Sequence, residues 1–426
     1  MSPQQYTIHA PQKPIKAEIT LPASKSFANR LLIMRSFNSF MKIDNISDAN
    51  DTVLLQKLIN VMQDKEQGNF SKKETGTIVL DAGPAGTVYR FMTARLAIES
   101  GNWILTGSDR MKERPVKLLV DALKTLGADI EYGEKEGFPP LFIKGKKIKG
   151  GAVTIDAGVS SQYISALMMI APALENGLQL TLGGTISSLP YIEMTARLME
   201  ETGIKIHRHK NSYHIPPQDY ASKQLTVEPD WSAASYWFQM VALNQDAEVL
   251  LKGLTPNSLQ GDSAVRALFE HIGVTSQFTS EGLLLKHIQD NANLFTADFT
   301  DIPDLAQTFA ITLAAKGIPS KLKGLRSLRI KETDRITAII NELANAGYQA
   351  IERDNFVLEI PQQTQRLSTQ PSIPFIHTYH DHRMAMCFAP LVLTGTPLQI
   401  ENPAVVEKSY PKYWEHLKQA GFLIEG

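Results

Sequence analysis

Cationic side chains collect in short loops that each lead into an apolar segment. The first three loops are SKSFANR, DAGPAGTVYR and GSDRMKERP, and they contain Lys25, Arg30, Arg90 and Arg114. A helix that begins at such a loop offers free N–H groups and the positive end of its dipole, to which Lys and Arg add full charges. Gly86 in the second loop lets a ligand approach the backbone, because glycine has no Cβ. These residue types favour the binding of phosphate or carboxylate groups.

Two further loops, GVSSQY and SSLPY, carry hydroxyl groups and an amide on Ser160, Ser161, Gln162 and Ser188. Such groups can orient a polyol or a phosphate. Each serine could equally be an ordinary N-cap residue, so these loops do not define a site by themselves.

The C-terminal half places carboxyl groups among further cations. Its motifs are DIPD, RIKETDR, HTYHDHRMAM and EKSYP, with Asp304, Lys331, Glu332, Arg335, Arg383 and Lys408. A carboxyl group beside cations in a binding site is a candidate for proton transfer. Single loops of this kind are commonly solvated, but the cations recur at corresponding positions of repeated segments. That recurrence favours one convergent site for a ligand with several negative charges.

A metal site is disfavoured. His380 and His382 are two residues apart, but the neighbouring Arg383 repels a cation. The one cysteine, Cys387, lies in the apolar segment MAMCFAPL, where a buried structural thiol is expected. We therefore predict no metal and no disulfide.

The elements that carry these loops form six related units. A short extended segment, a polar loop and a strongly apolar helix recur at intervals of about 60 to 77 residues. Between the copies lie amphipathic helices such as DRITAIINELANAG, which a glycine ends. The fold class is therefore α/β, with buried first helices and surface second helices. The pattern leaves open two groups of three units or one ring of six.

Composition narrows the class of protein. Lys and Arg number 43 and Asp and Glu 44, a net charge of −1, which argues against a general nucleic-acid binder. The apolar runs are shorter than the ~20 residues that span a bilayer, and the N-terminus lacks a signal-peptide pattern. These features predict a cytoplasmic globular protein without a membrane partner. The polar stretch 62–77 is predicted to be an exposed loop or hairpin.

The motifs, in order, resemble those of the 5-enolpyruvylshikimate-3-phosphate synthase (3-phosphoshikimate 1-carboxyvinyltransferase) family. The motifs that match are LPASKSFANR, DAGPAGT, RMKERP, SSQ, PYIEMT, IPD, RIKETDR, DHRMAM and EKSYP. The resemblance implies a two-domain inside-out α/β barrel of six βαβαββ-type units in two pseudo-threefold domains. One domain would span 21–229 and form the shikimate 3-phosphate side of the active site. The other would combine 1–20 with 230–426, with the phosphoenolpyruvate side and the acid–base residues, and the active site would lie in the cleft.

The implied reaction moves the enolpyruvyl group of phosphoenolpyruvate to the 5-hydroxyl of shikimate 3-phosphate and releases phosphate. It proceeds by addition and elimination through a tetrahedral intermediate, with no cofactor and no metal. The resemblance also implies a monomer that works in chorismate biosynthesis and is a target of glyphosate.

The resemblance assigns roles by matching positions. The expected catalytic residues are Lys25, Asp304 and Glu332. Those expected to bind shikimate 3-phosphate are Lys25, Ser26, Arg30, Ser160, Ser161, Gln162, Ser188, Asp304 and Lys331. Those expected to bind phosphoenolpyruvate are Lys25, Gly86, Arg114, Gln162, Arg335, Arg383 and Lys408.

Three positions depart from the family pattern: Pro84, Ala28 and Ser327 stand where relatives often carry Asn, Ser and Asn. Two alternative functions remain open at this point. One is enolpyruvyl transfer to UDP-N-acetylglucosamine, although that enzyme usually carries a reactive cysteine near the position of RMKERP. The other is a non-catalytic anion-binding protein on the same scaffold.

Overall fold

The structure is a computed structural model that describes residues 4–63, 76–289, 292–363 and 373–426. Most of the polar stretch 62–77 lies outside the described residues. The chain divides into two compact units. The inserted unit comprises Lys25–Val227, and the discontinuous unit comprises Met1–Ser24 with Glu228–Gly426.

The described chain contains 22 strands and 13 α-helices. The strands are β1 (Gln5–His9), β2 (Lys16–Thr20), β3 (Lys42–Asp44), β4 (Ile78–Asp81), β5 (Gly101–Thr106), β6 (Asp129–Tyr132), β7 (Leu141–Gly145), β8 (Gly151–Asp156), β9 (Leu178–Gly183), β10 (His207–His209), β11 (Ser212–Ile215), β12 (Gln224–Thr226), β13 (Glu248–Lys252), β14 (Val274–Phe278), β15 (Gly282–His287), β16 (Phe295–Asp298), β17 (Ser320–Lys323), β18 (Ile351–Arg353), β19 (Val357–Ile360), β20 (Phe375–Ile376), β21 (Leu398–Glu401) and β22 (Leu423–Glu425). The α-helices are α1 (Lys25–Arg35), α2 (Asn50–Gln63), α3 (Gly86–Ala97), α4 (Asp109–Lys112), α5 (Lys117–Thr125), α6 (Ser161–Ile170), α7 (Leu189–Glu201), α8 (Trp231–Leu243), α9 (Val265–Glu270), α10 (Ala306–Lys316), α11 (Arg335–Asn345), α12 (His382–Phe388) and α13 (Tyr413–Gln419).

The sheets repeat one pattern. The inserted unit has sheets of order β4-β5-β7-β6, β10-β11-β9-β8 and β12-β3, and the discontinuous unit has β20-β21-β1-β22, β14-β15-β13-β2 and β16-β17-β19-β18. Each of these sheets contains one parallel pair. The parallel pairs are β4 with β5, β8 with β9, β12 with β3, β2 with β13, β16 with β17, and β20 with β21. In β4-α3-β5, β8-α6-β9, β16-α10-β17 and β20-α12-β21, a buried helix connects the two parallel strands, as a parallel crossover requires.

Two strands are exchanged relative to the sequence repeats. Strand β2 precedes α1 along the chain but pairs with β13, which follows α8. Strand β12 precedes α8 but pairs with β3, which follows α1. The sequence repeats place β2 in one unit with α1, and β12 in one unit with α8. At these two places the prediction is wrong, because each strand belongs to a different sheet. Each strand completes a sheet of the unit that the chain is leaving.

The apolar helices are buried, as predicted. In α8 every residue except Ser232 and Leu243 is buried, and in α6 every residue except Gln162. In the inserted unit α3 packs against α6 and α1 contacts both, while in the discontinuous unit α10 packs against α8 and α12. The second helices bury one face only, as α11 does with Ile336, Ile339 and Leu343. The predicted α/β class with buried helices in six repeated units is confirmed.

Across the described residues, no helix combines the length and the hydropathy that a bilayer-spanning segment needs.

Candidate active site

Two arginine side chains of the inserted unit meet at the first residue of α3. A methyl group added to Gly86 would lie 2.4 Å from Nη1 of Arg90 and 2.5 Å from Nη1 of Arg114. We call Arg90 and Arg114 the arginine pair, and they are only 2% and 5% exposed. Two guanidinium groups beside the free N–H groups of a helix start create a strongly positive local potential, which favours the binding of an anion. The φ of Gly86 lies outside the left-handed region, so this glycine provides space rather than an unusual backbone conformation.

The first turn of α6 holds Arg90 through neutral groups. Nη1 of Arg90 donates to Oε1 of Gln162 at 3.0 Å, and its guanidinium carbon lies 5.4 Å from the centre of the Tyr163 ring. Nε2 of Gln162 donates in turn to Oγ1 of Thr87 at 2.9 Å. Nε of Arg90 has no hydrogen-bond partner among the described residues. Because the amide and the ring are neutral, they leave the charge of Arg90 able to attract a ligand.

Lys25, the first residue of α1, forms an ion pair. Its Nζ lies 3.0 Å from Oδ2 of Asp51 at the start of α2, and the two side chains are 16% and 7% exposed. Sequence reasoning missed Asp51. An Asp in the first turn of a helix is a common stabilising residue, so its position gave no sign of a partner in α1.

Arg30 lies inside the packing of the inserted unit and is 2% exposed. It donates from Nε to Oγ1 of Thr195 at 2.6 Å, from Nη2 to Oγ of Ser165 at 3.0 Å and from Nη1 to the carbonyl oxygen of Ser26 at 2.8 Å. Burial lowers the pKa of Arg30 to about 10. These bonds use most of its donors, so in this state Arg30 holds α1, α6 and α7 together more than it presents charge to a ligand.

The predicted serines stand at helix starts. Oγ of Ser160 accepts from the N–H of Gln162 at 3.3 Å and so caps α6, and Ser161 is the first residue of that helix. Ser188 precedes α7 with φ of 55° and makes no capping bond through its side chain. A non-glycine residue in the left-handed region is uncommon and is often held there for function.

In the discontinuous unit, Arg335 is the centre of a buried ion network. It is 1% exposed and donates from Nε to Oδ2 of Asp381 at 2.7 Å, from Nη1 to Oδ1 of Asp304 at 3.1 Å and from Nη2 to Oε2 of Glu332 at 3.0 Å. Burial alone would lower the pKa of Arg335, but the attraction of the three carboxylates outweighs it and raises the pKa above the ordinary value. Asp381 is the N-cap of α12 and was not predicted as a site residue.

Asp304 is surrounded by cations. Its Oδ2 lies 2.8 Å from Nη2 of Arg383, and its Oδ1 lies 3.7 Å from Nζ of Lys331 in addition to the bond with Arg335. Burial alone would raise the pKa of Asp304, but these three cations hold it well below its usual range. Asp304 is therefore ionised at neutral pH in this state. Burial also lowers the pKa of Lys331.

Glu332 completes the network. Nζ of Lys408 lies 3.0 Å from its Oε1, while Arg335 donates to the other oxygen. The six residues predicted in the C-terminal half are thus joined by direct ion pairs: Asp304, Lys331, Glu332, Arg335, Arg383 and Lys408. We call these six residues with Asp381 the ion network.

Beside the network, Arg383 contacts a second pair of groups. Its Nη2 lies 3.4 Å from Oγ of Ser232, which donates to Oδ2 of Asp262. Its Nη1 donates to the hydroxyl oxygen of Tyr236 at 3.3 Å. Burial raises the pKa of Asp262 to about 7. Asp262 was also missed, because its motif QGDSAV resembles an ordinary helix start.

The predicted state of the cysteine is confirmed. Cys387 is fully buried in α12, and burial raises its pKa to about 12, so its thiol is unreactive at neutral pH. Within the described ranges, no three His, Cys, Asp or Glu residues are grouped so that they could hold a metal ion.

The fold and these two sets of residues fit an enzyme that acts on anionic metabolites: one set offers buried cations at a helix start, and the other holds carboxylates among cations. The family model for EPSP synthase (3-phosphoshikimate 1-carboxyvinyltransferase) matches residues 9–417. The 3-phosphoshikimate 1-carboxyvinyltransferase of Bacteroides fragilis is 44% identical over 99% of both chains. That of Vibrio cholerae is 35% identical over 95% of this chain and 97% of its own length.

A solved EPSP synthase structure from Acinetobacter baumannii has the same fold. It superposes with a TM-score of 0.74 over the full length of both chains at 19% identity. The chain described here belongs to the EPSP synthase family.

Proposed function

We propose that this enzyme transfers the enolpyruvyl group of phosphoenolpyruvate to the 5-hydroxyl of shikimate 3-phosphate and releases phosphate. The observation that carries the proposal is the ion network, in which a partly buried, ionised Asp304 lies 2.8 Å from Arg383. An acid–base group held among cations is what a proton transfer beside anionic substrates needs. The product would enter chorismate biosynthesis, and glyphosate would compete with phosphoenolpyruvate.

The binding roles follow from charge and position. The arginine pair at Gly86 and the cations Arg383 and Lys408 are proposed to bind the carboxylate and phosphate of phosphoenolpyruvate. Lys25 and the hydroxyls at the starts of α6 and α7 are proposed to bind shikimate 3-phosphate. The proposal requires substrates that contact residues of both units. This is tested by Arg114→Ala and Arg383→Ala, which should raise the KM of the same substrate, phosphoenolpyruvate.

In the addition step, the 5-oxygen bonds to C2 of phosphoenolpyruvate. Its proton passes to Asp304, and another proton is added to C3. In the elimination step, C3 returns a proton to the group that donated it, the C2–O bond to phosphate breaks, and the leaving phosphate takes the proton from Asp304, so atoms and charge balance. A carboxylate with a strongly lowered pKa is a weak base. Substrate anions that draw charge from Arg383 and Lys331 would raise the basicity of Asp304 as they bind.

We propose Glu332 as the donor to C3, with Lys25 as the alternative donor. The two can be separated in deuterated water by the incorporation of deuterium into the methylene group of phosphoenolpyruvate. Glu332→Gln should abolish incorporation while Lys25→Met retains it at saturating substrate. The reverse result would assign the proton to Lys25.

The reaction itself is tested by phosphate release. The wild-type chain should release phosphate with shikimate 3-phosphate and phosphoenolpyruvate, and none when UDP-N-acetylglucosamine replaces shikimate 3-phosphate. The opposite preference, or no release with either, would overturn the proposal. The family resemblance also supports a monomer in the cytoplasm, which sedimentation and cell fractionation test.

A further inference from the structure

Tyr163 connects both members of the arginine pair to the first turn of α6. The residue is 1% exposed, and the face of its ring lies under the guanidinium of Arg90. At its far end the hydroxyl donates to the backbone carbonyl of Pro115, which directly follows Arg114. One rigid side chain therefore contacts one arginine and the backbone that carries the other.

We propose that Tyr163 is a positioning residue, which sets the separation of the two guanidinium groups and thereby the affinity for the anion that they bind. This inference rests on the proposed function for the identity of that anion, phosphoenolpyruvate. Tyr163 does not itself contact the reacting atoms in this account, because its ring and hydroxyl are both occupied by protein groups.

The loop that carries Arg114 needs such a support. Helix α4 is a single turn, and the loop after it is held by the bond from the N–H of Arg114 to the carbonyl of Met111 at 3.1 Å and from the N–H of Val116 to Gly137 at 2.8 Å. The hydroxyl of Tyr163 adds a hydrogen bond from a buried helix of the unit core to this segment, beside the packing of the fully buried Met111 and Val116. Without it, the guanidinium of Arg114 could move away from Arg90, as the mutual repulsion of two cations favours.

The hydroxyl and the ring act on different arginines, so two substitutions separate them. Tyr163→Phe keeps the ring under Arg90 and removes the bond to Pro115. Tyr163→Leu removes both contacts. Loss of one neutral hydrogen bond corresponds to about a 3- to 10-fold effect if it falls wholly on binding. We expect Tyr163→Phe to raise the KM for phosphoenolpyruvate by about that factor with kcat changed less than twofold, and Tyr163→Leu to raise it further.

Tyr220→Phe is a matched control. Tyr220 is also a buried tyrosine of the inserted unit, and its hydroxyl donates to the backbone carbonyl of Met169 at 2.8 Å. That bond lies away from the arginine pair. The control should lower the melting temperature to a similar extent as Tyr163→Phe and leave the KM unchanged. Equal KM values for the two Phe variants would overturn the positioning role.

A second readout does not depend on the reaction. Hydrogen exchange at the amides of 109–117 should be faster in Tyr163→Phe than in the wild type, and unchanged in Tyr220→Phe. If the wild type released no phosphate from the two substrates, the proposed function would fail, yet this comparison would still decide whether Tyr163 holds the loop. Exchange that is the same in all three proteins would refute the proposal.

Discussion

Replacement of Asp304 by Asn should separate catalysis from binding in this enzyme. The substitution keeps the shape of the side chain and removes one charge. Asp304 pairs with Arg383 at 2.8 Å, Arg335 at 3.1 Å and Lys331 at 3.7 Å. The variant therefore lacks the proposed proton acceptor, while every cation of the site remains in place.

The expected magnitudes follow from these contacts. Loss of a general base lowers kcat by about 10²- to 10⁴-fold. Removal of one member of a buried ion network costs about 3–5 kcal/mol of stability, and Asn should lie near the lower end because its amide oxygen can still accept a hydrogen bond. The ion network has four cations (Lys331, Arg335, Arg383 and Lys408) and three carboxylates (Asp304, Glu332 and Asp381), so its net charge rises from +1 to +2.

That change of charge predicts the sign of the binding effect. A more positive site should bind shikimate 3-phosphate or phosphoenolpyruvate at least as tightly as the wild type does. Titration calorimetry measures binding, phosphate release measures kcat, and urea unfolding measures stability. Asp246→Asn is the control, because it removes the same charge from an exposed turn of the same unit. A kcat within tenfold of the wild type would refute the role of Asp304, and weaker binding of both substrates would refute the charge reasoning.

Three other substitutions test separate parts of the site. Gly86→Ala should raise the KM for phosphoenolpyruvate and raise the Ki for glyphosate more, because the new methyl group displaces Arg90 and Arg114 and glyphosate is the longer ligand; a constant ratio of Ki to KM would show that Gly86 does not face the inhibitor. Arg383→Ala should weaken the binding of phosphoenolpyruvate by about 2–5 kcal/mol, and an unchanged KM for phosphoenolpyruvate would contradict the role of Arg383 in binding it. Asp262, with a pKa raised to about 7 from 3.8, should favour the folded state fully below pH 3.8 and lose that contribution as pH rises through 7. As pH rises from 5 to 7.5, the free energy of unfolding of Asp262→Asn, measured in urea, should therefore increase by about 1–3 kcal/mol relative to that of the wild type. A difference between the two proteins that is independent of pH would mean that Asp262 does not titrate in this range.

The sequence was sufficient for features that depend on neighbouring residues. The segments that form α6 and α8 are apolar nearly all round, and that local pattern correctly predicted burial on every side. The amphipathic face of α11 was predicted in the same way. Strand pairing depends on residues far apart in the chain, so the exchange of β2 and β12 between sheets could not be predicted from the repeats.

The same distinction holds in the site. Cations were found from their types and their recurrence in loops, and Asp304 from a carboxyl group among them. Two of their acidic partners, Asp51 and Asp381, were missed. Asp51 lies 26 positions from Lys25, and Asp381 lies 46 positions from Arg335, in segments where an acid also serves as an ordinary helix-start residue. Only the fold shows which of many such acids contacts which cation.

The partners of the cations suggest how the site remains folded without substrate. Several unpaired cations in a buried place would repel one another and bear a large desolvation cost. In the ion network, carboxylates offset most of this charge, and two of them, Asp304 and Glu332, are the groups proposed to move protons. The charge of Arg90 is stabilised by neutral groups instead, the amide of Gln162 and the ring of Tyr163. Substitution of a network carboxylate should therefore lower stability and catalysis without weakening the binding of the anion, whereas substitution of Tyr163 should weaken mainly that binding.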